Sequence, residues 1–251
     1  MNAAPLAESD APVDRATGSL QAEGDGARAP FKRRLAERVE VALAPLVTLA
    51  HGAGVRADHL TVLGMLLCAG AGVAFFDGLS RLGALLLLGA GLCDLLDGQL
   101  ARRAGGETRF GAFFDSTLDR LGEALVLLGI LGFCLRNLVA LVFESHRVLE
   151  QMAVGLYPVT WAVVGGTAAL ALVGSFMVSY TRARAEGLGL ACRVGWFERP
   201  ERMLLLMLAG ALKVFWAMSG ALLLLTVLSF FTAAQRVAFV WKHTRGAGLD
   251  R

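Results

Sequence analysis

From Leu60 to Val240 the chain alternates between long apolar runs and short polar breaks. The runs are roughly 17 to 25 residues long, the length a helix needs to cross a bilayer. They predict spans at Leu60–Phe76, Leu82–Ala104, Phe110–Leu135, Val154–Ala183, Pro200–Met218 and Ala221–Val240. The last two are divided only by Lys213 and Ser219-Gly220 within an almost unbroken apolar run. Asn137 to Met152 carries Glu144, His146, Arg147 and Glu150, and reads as a connecting loop or a short surface helix. Upstream, Phe31, Leu35, Val39, Leu43, Leu46 and Val47 recur at helical spacing with Lys32, Arg33, Arg34, Glu37, Arg38 and Glu40 between them. A basic amphipathic helix of this kind lies in the membrane interface. On a soluble domain the same pattern is a surface helix, a reading that the following spans disfavour. Met1 to Pro30 has no apolar period and reads as a disordered tail. It lacks the basic start and apolar core of a signal peptide. The expected fold is an all-α integral membrane protein, six transmembrane helices with an N-terminal amphipathic interfacial helix. Its expected parts are a tail at 1–30, the juxtamembrane helix at 31–54, the membrane domain at 55–243 and a C-terminal tail at 244–251.

Composition supports this. Of 251 residues, 56% are hydrophobic and 18% charged, against about half and a quarter in soluble domains. A disordered chain and a disulfide scaffold are excluded, and a soluble enzyme is disfavoured. The net charge of +3 is too small to suggest nucleic acid. The placement of charge says more. Of the 24 Lys and Arg residues, Arg81, Arg136, Arg147 and Lys213 fall on one side, and Arg120 falls within a span. The others share the side of the N-terminus, which the positive-inside rule makes cytoplasmic. Six spans put both termini there. Cys68, Cys93, Cys134 and Cys192 have no metal-ligand spacing and read as small buried apolar residues.

Acidic side chains in apolar spans are costly and are functional candidates by default. Asp94-Leu95-Leu96-Asp97-Gly98-Gln99-Leu100-Ala101-Arg102 is followed, after eight residues, by Gly111-Ala112-Phe113-Phe114-Asp115-Ser116-Thr117-Leu118-Asp119. Asp94 and Asp97 share one helix face, and so do Asp115 and Asp119. Gly98 and Ala101 continue the first face with almost no side chain, so a bulky ligand can approach the backbone. A break at Ala104-Gly105-Gly106 lets the two helices run antiparallel, so that the aspartate pairs converge near the cytoplasmic end. Four carboxylates together repel unless cations lie between them. Oxygen donors without His or Cys favour Mg²⁺, Mn²⁺ or Ca²⁺, and two such ions can bridge a pyrophosphate. The bland alternative is a set of helix-end carboxylates paired with Arg102, Arg103, Arg109 and Arg120.

The pattern D-x2-D-G-x2-A-R-x8-G-x3-D-x3-D resembles the signature of the CDP-alcohol phosphotransferases at every fixed position. The resemblance implies a six-helix membrane enzyme, usually a homodimer, with two divalent metals (Mg²⁺, with Mn²⁺ as the alternative) on Asp94, Asp97, Asp115 and in part Asp119. It implies that the CDP donor sits against Gly98, Ala101, Arg102 and Gly111, beside Asp97 and Asp115. Asp119 matches the aspartate proposed as general base. Asp58 and Thr61 match a further donor-side segment, while Arg56 and Ala57 replace its usual Thr-Pro.

Ser179 to Glu186, Phe197 to Arg202 and Gln235-Arg236 resemble the bacterial phosphatidylinositol-phosphate synthases within that family. The resemblance then covers roughly Phe31 to Lys242, and implies that Arg182, Arg199 and Arg236 hold the phosphate of the acceptor. Arg182 departs from the usual Lys. Arg184, Arg193 and Arg202 read as topological or structural. The expected reaction joins CDP-diacylglycerol to inositol 1-phosphate and releases CMP. The alternatives are glycerol 3-phosphate as acceptor, a cation transporter using the intramembrane carboxylates, and a non-catalytic relative.

Overall fold

The computed structural model describes residues 42–50, 52–103, 106, 108–143, 145–192 and 194–246, apart from the side chains of 145–147 and 246. The chain divides into two compact units, Met1–Pro45 and Leu46–Arg251. In the first, residues 42–45 are helical. In the second, a helical stretch at 46–50 leads into α1 (Ala57–Phe76), α2 (Ser80–Arg103), α3 (Arg109–Phe143), α4 (Ser145–Ala153), α5 (Pro158–Glu186), α6 (Arg199–Leu212) and α7 (Phe215–Gly246). No strand occurs among the described residues. The tail at 1–30 and residues 31–41 of the expected interfacial helix lie outside them.

Six helices stand where six spans were expected. Five of them, α1, α2, α3, α5 and α7, are long and apolar enough to cross a membrane. The sixth, α6, has 14 residues, or about 21 Å, short of the ~30 Å hydrocarbon core. The reason is local. Lys213 adopts a left-handed conformation at φ 54° and ends α6, with its N–H bonded to Gly210 O at 3.1 Å. Ser219 and Gly220 do not form the turn, because α7 has already begun at Phe215 and the Ser219 hydroxyl donates to Phe215 O. Helix α3 runs past Leu135 to Phe143, with the Asn137 amide satisfied on Phe133 O at 2.8 Å. Helix α4 is the short helix allowed for between spans. Helix α5 starts at Pro158, the favoured first position for proline. Helix α7 passes the expected boundary at 243 and continues to Gly246.

Helix α1 packs on α2 and α3, α5 on α3 and α7, and α6 on α2 and α7. The α1–α3 crossing is backbone against backbone. A Cβ on Gly129 would collide with the Gly72 backbone, and one on Gly72 with the Leu125 carbonyl. Small residues serve this purpose in membranes, where packing drives helix association. Cys68, Val126, Leu127, Leu206, Leu222 and Leu225 are sealed in the core, while Leu85, Val163 and Leu223 lie on the outer surface, as a lipid-facing bundle requires. All four cysteines are buried and free. Trp161 is buried too, its N–H donating to Gln151 Oε1 at 2.7 Å, whereas Trp196, Trp216 and Trp241 are exposed. The up-and-down path brings the N-termini of α1, α3 and α6 and the C-termini of α2, α5 and α7 to one end.

Replacing Gly129 by Val should lower the thermal midpoint in detergent by about 5 °C or more, from overpacking the crossing. Gly166→Val, where an added Cβ meets nothing within 4 Å, should leave it nearly unchanged.

Candidate active site

The last turns of α2 and the first turns of α3 supply the acids at that end. One oxygen each from Asp94, Asp97 and Asp115 lie within 4.8 Å of one another. Asp97 is buried, and its Oδ2 accepts from Thr61 Oγ1 of α1 at 3.1 Å. Three carboxylates at this separation repel in a medium that screens poorly. Their hard oxygen donors fit a divalent cation such as Mg²⁺ or Mn²⁺.

A cavity of about 390 Å³ opens beside them, lined by Asp58, Thr61, Asp97, Gly98, Ala101, Gly111 and Asp115 among others. These are seven of the eight residues expected on the donor side. The eighth, Arg102, is not part of the lining, but its Nη1 would stand 3.6 Å from a Cβ on Gly98. That is ordinary contact, so helix packing alone does not demand glycine at 98; the space opens to the cavity. Gly111 N donates to Thr108 Oγ1 at 2.9 Å, capping the start of α3. Thr108, Val55 and Arg56 also line the cavity. Thr108 was legible as a cap three residues before Gly111; nothing in the sequence singled out Val55.

Asp119 stands apart from the three-carboxylate group. Its Oδ2 is 2.8 Å from Arg199 Nη1, which also lies 3.3 Å from Asp94 Oδ1. Arg199 therefore bridges the two helices that carry the acids. Burial works against its charge, but the carboxylates of Asp119 and Asp94 outweigh it and hold the guanidinium above the ordinary arginine range. One turn further along, Arg202 makes a two-pronged pair with Glu123, Nε to Oε1 at 2.6 Å and Nη2 to Oε2 at 2.8 Å. Both side chains are sealed, at 1% and 2% exposure. Arg202 is structural, as expected. Glu123 was missed, although an acid in an apolar span four residues after Asp119 was a usable signal.

The other two arginines converge on Glu198, which the sequence reading placed in the Phe197–Arg202 segment without a role of its own. Arg236 Nη2 lies 3.1 Å and Arg182 Nη1 3.8 Å from Glu198 Oε1. Arg236 is buried, donating from Nη1 to Val178 O at 2.6 Å and from Nε to Val194 O at 2.8 Å. Arg182 is half-exposed and also pairs with Glu186. Of the three, Arg182 is the most exposed, Arg199 is partly exposed and Arg236 is buried.

Residues 55–241 match the family model for CDP-alcohol phosphatidyltransferase. The archaetidylinositol phosphate synthase of Methanothermobacter thermautotrophicus is 36% identical over 75% of this chain and 85% of its own. The phosphatidylinositol phosphate synthase of Mycobacterium tuberculosis is 33% identical over 79% and 84%. The crystal structure of the M. tuberculosis enzyme with CDP-DAG bound superposes with a TM-score of 0.63 at 30% identity, over 78% of this chain and 92% of that one. Its complex with manganese and citrate gives 0.64 at 30%, over 78% and 88%. The chain belongs to the CDP-alcohol phosphatidyltransferase family. It is a multi-pass membrane enzyme of the transferase class rather than a cation transporter.

Arg236→Met should cost several degrees of thermal midpoint, because it removes the hydrogen bonds of a buried guanidinium to Val178 O and Val194 O, worth about 1.5–3 kcal/mol each. Arg182→Met, which removes half-exposed pairs, should change the midpoint by little. Equal losses from the two would contradict the separation drawn here.

Proposed function

We propose that this enzyme transfers the phosphatidyl group of CDP-diacylglycerol to a hydroxyl of inositol 1-phosphate, giving phosphatidylinositol phosphate and CMP. The observation that carries this reading is one juxtaposition. A cavity of about 390 Å³, three converging carboxylates and an arginine-bound fourth lie at one end of the bundle. The named relatives are synthases of archaetidylinositol phosphate and of phosphatidylinositol phosphate, which favours that acceptor over glycerol 3-phosphate.

In this reading the nucleotide enters the cavity beside Gly98, Ala101, Arg102 and Gly111, with Asp58 and Thr61 at its other wall. Asp94, Asp97 and Asp115, with Asp119 alongside, would hold two divalent cations. When bound, these neutralise pyrophosphate charge as CMP departs. Arg182 and Arg199 receive the acceptor phosphate, supported by Arg236. Asp119 takes the proton from the acceptor hydroxyl as it attacks the β-phosphorus of the donor. The oxygen–phosphorus bond to the acceptor forms, and the bond to CMP breaks. The arginine-rich end is read as cytoplasmic, and the active assembly as a homodimer in the cell membrane.

Gly98→Leu should keep the thermal midpoint but weaken CDP binding by about tenfold or more, since the added side chain has only the cavity to occupy. Unchanged CDP affinity, read by calorimetry, would remove Gly98 from the donor site. The decisive assay supplies purified protein, Mg²⁺ and CDP-diacylglycerol with inositol 1-phosphate, glycerol 3-phosphate or free inositol, and identifies the lipid by mass spectrometry. Phosphatidylinositol phosphate is expected. Product from glycerol 3-phosphate alone would sink the acceptor assignment, and no CMP from any acceptor would sink the reaction.

A further inference from the structure

Helix α6 packs against α2 and α7 and reaches α3 through two arginine side chains. Arg199 meets Asp119 at 2.8 Å, and Arg202 meets Glu123 at 2.6 and 2.8 Å. The spacings match. Asp119 and Glu123 are i and i+4 on α3, and Arg199 and Arg202 are i and i+3 on α6, so each helix presents both partners on one face.

The two pairs differ in access to water. The outer side chains are each 22% exposed, the inner ones 1% and 2%. A guanidinium fork on a carboxylate forms two parallel hydrogen bonds, which fix direction and plane as well as distance. Arg202 adds a third bond, from Nη1 to Phe197 O at 3.2 Å, two residues before Arg199. The two bonds to Glu123 set the rotation and height of the first turns of α6 against α3, and the bond to Phe197 O ties the same side chain to the chain just before α6. Stability alone does not call for such a pair, because a packed apolar pair of similar volume often serves as well or better. What the ionic pair adds is a single allowed geometry.

We propose that Glu123 and Arg202 are positioning residues for the transfer reaction. They set Arg199 against Asp119 and Asp94, so that the acceptor's phosphate and its attacking hydroxyl arrive in register with the base. The inference rests on Asp119 as the base and Arg199 as an acceptor ligand. It assigns no direct contact with substrate to Glu123 or Arg202.

The test uses the full chain in lipid-containing micelles, with rates normalised to CDP-binding sites and thermal midpoints taken in parallel. Arg202→Lys keeps the charge and loses the fork. It should lower kcat by about tenfold to a hundredfold and raise the acceptor KM, leaving the CDP-diacylglycerol KM and Mn²⁺ affinity unchanged. The double variant Glu123→Leu with Arg202→Met should recover the midpoint lost by either single variant without recovering kcat. A double variant with wild-type midpoint, kcat and acceptor KM would overturn the proposal. So would Arg202→Lys with unchanged normalised kinetics. Asp119→Asn separates the two levels of inference. If it turns over normally, the reading of the base fails and this proposal falls with it. If it is inactive while the double variant is normal, positioning alone fails.

Discussion

A carboxylate and a guanidinium sealed from water on two different helices must meet, or both are left charged in a medium that cannot solvate them. Glu123 and Arg202 are such a pair. Breaking it from one side costs about 3–5 kcal/mol, a large share of a protein's stability. The α6 helix is too short to span the bilayer, and it gains definition toward α3 from arginines rather than from backbone packing. In the proposed reaction the same link carries the chemistry, because Arg199 and Asp119 stand one turn away on the same two faces. Fold and site are thus joined by a shared register.

The acids present the complementary problem. Asp94, Asp97 and Asp115 converge because α2 and α3 run antiparallel, and Gly106 between them takes a positive φ. Convergence of like charges is uphill, and the fold commits to it where a cavity opens and Thr61 steadies Asp97. In the proposed reaction cations offset this repulsion and in turn carry the anionic donor. Water would screen the same charges at a surface; within a bundle they favour a ligand of opposite charge.

Much of this was legible in the sequence. Spans follow from length and hydropathy alone, and the aspartate positions follow from helical spacing. The short α6 was only half legible: Lys213 marked a possible break, but that α6 stops there rather than at Ser219-Gly220 depends on the backbone conformation of Lys213. Glu123 was hidden by its setting, one acid in an otherwise apolar stretch outside the dense motif. Arg236 looked like Arg182 and Arg199 in the text. Only packing shows that its guanidinium is occupied by two carbonyls and Glu198. Sequence reports which residues carry charge near a helix end, but not which of those charges face a cavity.

The docking of α6 is open to a direct measurement. Solid-state magnetic resonance in lipid bilayers can read the distance from guanidinium nitrogen to carboxylate carbon for Arg202 and Glu123. Single-site substitution assigns the signal, and the protein is loaded with Mn²⁺-free Mg²⁺ and CDP. A direct two-pronged contact is expected, retained with and without CDP. A separation beyond hydrogen-bond reach, or a contact that Arg202 makes with Asp119 instead, would contradict the register on which the site depends.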